Sequence, residues 1–435
     1  MAPRLPTEPP RGMRDILPPE AELRDFAAGT ILAVYRRHGF RRIECPALES
    51  LQLLMGGGGG ENEKLIFKVL KRGEKLAFGP EATEADLADL GLRFDLTVPL
   101  ARYYAHNHAK LPSPLRAVQI GPVWRAERPQ RGRYRQFTQC DIDIVGVASE
   151  VAEIELILAT TEALGALGLA DLTVRINDRR VLAAMAAWCG FAPERHGSVF
   201  ITLDKWDKLP PADIRRELEE AGHPHPAIAR LLELYDRPTS AGGLEAMRDR
   251  LGASSAEDGF PALARIVDHV RAADDRLRIA FDPTLVRGMG YYTGPIFEIG
   301  SSSFTGGSIA GGGRYDGMIG ALLGRPVPAT GFSIGFERVI EILGKRPAKT
   351  ERPARVAVLF DDSEGALGRA LAVARTLRAQ GHLVALERQA RSLGAQRAAL
   401  ERQGYDGAAT VSAEGSADVQ WFAVRELHRR AESQA

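Results

Sequence analysis

Residues 116–145, RAVQIGPVWRAERPQRGRYRQFTQCDIDIV, decide the fold. Val118, Ile120 and Trp124 alternate with Gln119, Gly121, Val123 and Arg125; RPQRG supplies a turn; the alternation then resumes through Tyr134, Thr138, Cys140, Ile142 and Ile144. A period of two in both arms predicts an antiparallel hairpin. Arg133, Arg135, Phe137, Gln139, Asp141 and Asp143 then share the face opposite Cys140, Ile142 and Ile144, so one face is core and the other a polar floor.

Five arginines, Arg125, Arg128, Arg131, Arg133 and Arg135, sit around that turn. Arginine stays charged and presents a planar fork of donors that matches phosphate oxygens. A solvated basic surface is the plain alternative. What favours a ligand is the neighbouring strand face, because acceptors beside an aromatic ring are costly to hold unless they bind something.

Working outward, Leu23, Phe26, Ala27, Ile31, Val34 and Tyr35 recur at helical spacing from Glu20 to Gly39, which predicts an amphipathic helix. RRIECPALES (41–50) is a short strand signal broken by Pro46, and the pentaglycine 56–60 is a loop before ENEKLIFKVL. No G-x-x-x-x-G-K-[ST] phosphate loop occurs. A helix is predicted over 150–168, a helical insertion over about 178–275, and strands again at LVRGMGYYTGPIFEIG and GGGRYDG. GFSIGFERVIEIL is a glycine-rich strand running into a helix. GKRPAKTERPA (344–354) is a linker by composition. RVAVLF, HLVALE and GAATV, with helical stretches between them, then predict a β-α-β-α-β domain over 355–435, leaving 1–343 as the larger part.

Three isolated cysteines, Cys45, Cys140 and Cys189, exclude a disulfide framework and a four-thiolate zinc site, and fit a reducing cytoplasm. Lys plus Arg (57) balances Asp plus Glu (56), so contact with nucleic acid is expected to be local. The first fifteen residues carry no apolar core like that of a signal peptide. No run approaches the ~18 apolar residues of a membrane span, so no membrane partner is expected. The H-x-H pairs His106/His108 and His223/His225 lack Cys or carboxylate companions and suggest no metal site.

Other segments bring matching chemistry. In RFDLTVPLARYY, Asp95 suits either a helix cap or a ligand acceptor, with Thr97 beside it. Arg287 in LVRGMGYYTG and Arg314 in AGGGRYDG lie among glycines that allow close backbone approach; Arg338 opens a helix in GFSIGFERV. Arginines at 125, 287 and 338 in such settings point to a polyphosphate ligand.

From about Arg11 to the C-terminus the chain resembles the histidyl-tRNA synthetases, class II aminoacyl-tRNA synthetases. RIECPALES resembles motif 1, WRAERPQRGRYRQF motif 2 and GFSIGFERV motif 3, while LVRGMGYYTG and AGGGRYDG resemble the two histidine-specific signatures. The resemblance implies an α+β fold: an antiparallel catalytic sheet of six or seven strands with flanking helices and a helical insertion, plus a C-terminal α/β anticodon-binding-like domain. It implies ATP-dependent activation of L-histidine and transfer to tRNA(His) by a cytoplasmic homodimer with Pro46 at its interface. ATP, carrying Mg2+, would be held by Arg125, Glu127, Phe137 and Arg338. Histidine would be held by Asp95, Thr97, Gln139, Asp143, Tyr291 and Tyr292. Arg287 and Arg125 would be catalytic, and Arg128 and Gln130 would face the acceptor end of the tRNA; no resident metal is implied.

Two departures stand out. Position 290 is glycine where the family usually has an acidic residue, and SAEGSADVQWFAVREL (412–427) is shorter than the family's usual hairpin. A regulatory subunit of ATP phosphoribosyltransferase resembles the same core but lacks an anticodon domain and the activating arginines. A synthetase-like enzyme charging a non-tRNA acceptor is the other alternative.

Overall fold

The computed structural model describes residues 5–56, 62–76, 79–129, 134–236, 243–252, 259–287, 291–346, 353–411 and 418–422. Gln130, Gly290, and the segments 57–60 and 412–417 therefore lie outside the described residues. The chain divides into two compact units, Met1–Lys345 and Arg346–Ala435.

The first unit is built on an eight-stranded sheet. Its order is Arg41–Arg42, Leu115–Trp124, Gln136–Val145, Ala329–Gly335, Ala310–Arg314, Pro295–Ser301, Leu172–Asp178, Arg278–Phe281. The six inner strands run antiparallel to their neighbours, and each edge strand joins in parallel. Among the described residues the sheet has eight strands, the two- and four-residue edge strands included, against the six or seven that the resemblance implies.

The hairpin forms in the expected register, from Leu115↔Val145 to Trp124↔Gln136. Cys140, Ile142 and Ile144 are fully buried against helices Pro18–Arg37 and Val151–Ala166. The first of these starts two residues before the sequence boundary, because Pro18 fits a first helical turn that has no use for its missing N–H. Its core stripe is Ala27, Ile31, Val34 and Tyr35, whereas Phe26 points outward and is exposed.

Among the described residues six α-helices lie between Asp178 and Arg278: Arg179–Cys189, His196–Leu203, Pro211–Glu220, His225–Asp236, Gly243–Leu251 and Gly259–Ala273. Asp178 caps the first by accepting from the Arg180 backbone N–H at 2.8 Å, and Gly190 ends it in the left-handed region at φ 99°. Their apolar faces join the core of the large sheet. A small sheet, in the order Leu48–Ser50, Ala88–Leu92, Lys68–Leu70, leaves Leu48, Leu70 and Leu90 exposed beside exposed Pro46.

The second unit contains parallel strands Leu383–Arg388, Arg355–Phe360 and Gly407–Val411 with helices Ala366–Ala379 and Leu393–Arg402. Beyond the β-α-β-α-β pattern, a short strand Val419–Trp421 adds antiparallel to Gly407–Val411.

Candidate active site

The strand Gln136–Val145 is interior to the sheet, paired on both sides, so its odd residues project over a floor continued by its neighbours. One rung crosses that floor through directly opposed residues: Gln119, Asp141, Ser333, Gly311, Glu298 and Arg175. Gly311 is the gap in the row. A Cβ there would lie 1.5 Å from Nη1 of Arg287, so the missing side chain is what lets this guanidinium rest on the sheet. The adjacent rung uses Gly331 similarly, where a Cβ would lie 2.1 Å from Oδ1 of Asp143.

The polar face is half-buried at Phe137 and Gln139 and becomes buried toward the end of the strand. Asp141 and Asp143 are only 3% and 2% exposed. Above them, Tyr291, Tyr292 and the start of helix Thr97–Asn107 wall an open recess of about 380 Å3 empty volume, joined by Asp95, Arg125, Gln139 and Tyr315. Asp95 holds the helix start, with Oδ1 accepting from the Val98 backbone N–H at 3.0 Å, and its residue also lines the recess. Arg125 donates from Nε to the Phe94 carbonyl at 3.0 Å, and its guanidinium lies 5.1 Å from the centre of the Phe137 ring.

Buried polar groups are nearly always partnered, and here four are not. Gln139 Oε1, Asp141 Oδ1, Asp143 Oδ2 and Arg287 Nη1 are buried without a hydrogen bond. Their other atoms are held: Gln139 Nε2 donates to Ser333 Oγ at 3.1 Å, Tyr315 donates to Asp143 Oδ1 at 2.6 Å, and Arg287 Nε pairs with Glu298 Oε1 at 3.2 Å. Gln139, Asp143 and Arg287 are thus each fixed through one atom and leave another without a partner. Burial pushes Asp95 up to about 6 and Asp143 up to about 7, against hydrogen bonds from Val98 and Tyr315 that favour the charged forms. Asp141 is raised well above the usual carboxylate range, first by burial and then by the Asp143 charge. Three buried acceptors of the recess are thus left without a donor.

Residues 12–339 match the family model described as histidyl-tRNA synthetase. The chain belongs to the histidyl-tRNA synthetase family. It is 47% identical over 401 residues to the histidine–tRNA ligase of Leifsonia xyli, covering 90% of this chain and 92% of that protein. The crystal structure of histidyl-tRNA synthetase from Nostoc sp. PCC 7120 superposes with a TM-score of 0.78 at 27% identity, covering 99% and 100% of the two chains. An ATP phosphoribosyltransferase regulatory subunit/histidyl-tRNA synthetase from Bacillus halodurans shares the fold at a TM-score of 0.74 and 23% identity, covering 91% and 97%.

Among the residues that the histidyl-tRNA synthetase resemblance named, Asp95, Thr97, Arg125, Gln139, Asp143, Tyr291 and Tyr292 converge on the recess, and Arg287 reaches it over Gly311. Phe137 faces a neighbouring recess with Arg14, Arg24 and Glu337. Glu127 and Arg128 are exposed on the hairpin arm, where the Glu127 carbonyl accepts from Arg135 Nε at 3.0 Å. Arg338 donates to the Ser308 carbonyl and lies 5.8 Å from the centre of the Phe304 ring. Arg314, grouped with these arginines by its glycines, is instead a buried structural cation: it binds both oxygens of Glu153 at 2.7 and 2.9 Å and the carbonyls of Val147 and Ser149.

Three polar side chains of the recess are outside the set that the resemblance implies. Asp141 shares the period-two face of Asp143, a signal present in the sequence; Tyr315 and Ser333 reach the site only through pairing between strands distant in sequence. Among the described residues, no group of three or more His, Cys, Asp or Glu side chains could hold a metal ion, and no helix is long and apolar enough to cross a membrane.

Proposed function

We infer that this chain is a histidine–tRNA ligase that activates L-histidine with ATP and transfers the histidyl group to tRNA(His). The observation that carries the assignment of residues is the set of buried, unpartnered acceptors, Gln139 Oε1, Asp141 Oδ1 and Asp143 Oδ2, on residues that line one recess, with the unpartnered Arg287 Nη1 resting over Gly311 of that lining. Histidine's ammonium and imidazole N–H groups supply donors for these acceptors, and its carboxylate belongs beside Arg287 and Arg125. A site built around such donors rejects amino acids that leave its buried acceptors unmatched.

In this reading a carboxylate oxygen of histidine attacks the α-phosphorus of ATP. The bond to pyrophosphate breaks, and pyrophosphate departs with the electron pair. Negative charge grows on the α-phosphate oxygens, where the fixed cations Arg287 and Arg125 stabilise the transition state more than the ground state. Phe137, beneath the Arg125 guanidinium, offers a face for adenine, and Arg338 lies toward the γ-phosphate. Mg2+ would enter with the triphosphate and offset its charge. The tRNA terminal hydroxyl then attacks the adenylate carbonyl and AMP leaves, with Glu127 at the adenine side and Arg128 and Gln130 toward the acceptor end.

The exposed Leu48, Leu70 and Leu90 beside Pro46 support a homodimer through this edge. The domain scheme of core 1–343, linker 344–354 and anticodon-binding-like domain 355–435 belongs to the same reading, as does a reducing cytoplasm for three buried free cysteines. Histidine-dependent exchange of pyrophosphate into ATP tests the activity. Exchange with no charging of tRNA would favour a different acceptor, and no exchange at all would favour a regulatory paralogue. A chain ending at Lys345 should keep exchange and lose most tRNA charging, because the second unit contributes binding remote from the reacting centre.

A further inference from the structure

Arg287 comes from a loop and has no strand to aim it. Its Nε meets Glu298 Oε1 at 3.2 Å, and Glu298 stands directly opposite Gly311, the residue whose missing side chain makes room for the guanidinium. On its other side Glu298 is directly opposite Arg175, whose Nη2 binds Glu298 Oε2 at 2.7 Å. Arg175 Nη1 then reaches Asp282 at 3.1 Å and Asp207 at 3.0 Å. Asp207 is exposed and belongs to the turn between insertion helices His196–Leu203 and Pro211–Glu220. An unbroken chain of alternating charge thus runs from the surface of the helical insertion to the edge of the recess.

We propose that Glu298 is a positioning residue that aims Arg287 at the reacting phosphate, and that Arg175 makes this aim depend on the insertion turn carrying Asp207. The proposal rests on the role given to Arg287 above. The physical case is that a guanidinium turning about its long side chain has few constraints. Fixing Nε with a carboxylate that is itself held on its second oxygen leaves Nη1 a defined direction. The register of the sheet gives Glu298 both tasks: it is opposite Gly311 on one side and Arg175 on the other. Asp282 shares the Arg175 Nη1 with Asp207, so loss of Asp207 loosens the chain without cutting it.

The test is histidine-dependent pyrophosphate exchange on full-length variants, with kcat separated from KM. Glu298→Gln keeps the shape and removes the charge; it should lower kcat about 100-fold, the effect of misplacing a catalytic group by roughly 1 Å, with the KM for histidine and ATP little changed. Asp207→Ala should lower kcat about two- to fivefold, and the double variant should be no slower than Glu298→Gln alone, because the two act through one network. A role in folding alone would lower the denaturation midpoint and the active fraction without this non-additive pattern in kcat per active site.

Normal kcat in Glu298→Gln while Arg287→Ala is inactive overturns the positioning role. Multiplicative effects of the two substitutions overturn the coupling. Normal exchange in Arg287→Ala would instead overturn the role of Arg287 itself. Should Glu298→Gln not fold, the exposed Asp207→Ala decides: an unchanged kcat overturns the proposal.

Discussion

Arg287, on a loop over the large sheet, and Arg314, at the end of one of its strands, come from equally glycine-rich sequence and end in opposite states. Arg314 spends its donors inside the chain, on Glu153, two backbone carbonyls and Asp316. Arg287 has one carboxylate on Nε and a buried Nη1 with no partner. A buried cation supplied with every partner contributes to the fold; one left short of a partner is held ready for a partner from outside. The difference lies in what the surrounding strands deliver, since the local sequences are alike.

The largest effect expected from that contrast is on stability. Arg314→Ala strands the fully buried Glu153 carboxylate and should cost about 3–5 kcal/mol, read as a lower urea midpoint. A shift of only a few tenths would make Arg314 no more structural than Arg287. Arg287→Ala reverses the pattern: pyrophosphate exchange should lose about 2.7–4 kcal/mol of transition-state stabilisation, while ATP binding and the urea midpoint hold. Were both arginines to change stability equally, the division between them would collapse.

Asp143→Ala sharpens the acceptor side of the same comparison. It removes one unpartnered oxygen and should raise the histidine KM by the equivalent of about 1–3 kcal/mol, with the ATP KM unmoved. An equal rise in both constants would place Asp143 elsewhere in the reaction.

The last effect concerns protons and is spread over several pH units. Asp95 and Asp143 sit at about 6 and about 7 in the folded chain, above the ~4 of an unfolded carboxylate. Between these values the folded state holds more protons than the unfolded one. The ligand-free protein therefore loses stability as pH rises from about 4 to about 7, by at most about 1.4 kcal/mol per pH unit for each group. Asp143→Asn should flatten the upper part of that slope in urea titrations at stepped pH; an unaltered slope would mean that Asp143 titrates normally in the folded chain.

Much of this was legible without coordinates. The hairpin, its two faces and the grouping of Gln139, Asp141 and Asp143 follow from a period of two, which depends only on the chirality and pleat of an extended chain. Helix Pro18–Arg37 was legible in the same local way, although its stripe was too generous: spacing admitted Phe26, and only packing shows that Ala27, Ile31, Val34 and Tyr35 face the core.

Local pattern could not separate Arg287 from Arg314, nor find Tyr315, Ser333 and Glu298. Their roles depend on register between strands far apart in sequence, such as Asp141 against Ser333 or Glu298 against Gly311. The sequence by itself determined which residues share a face and which segments bend, because those are properties of neighbouring dihedral angles. The tertiary structure alone decided which buried polar groups found partners and which were left open. Hydrogen-bond satisfaction is a sum over everything folded around a group, and no stretch of chain contains that sum.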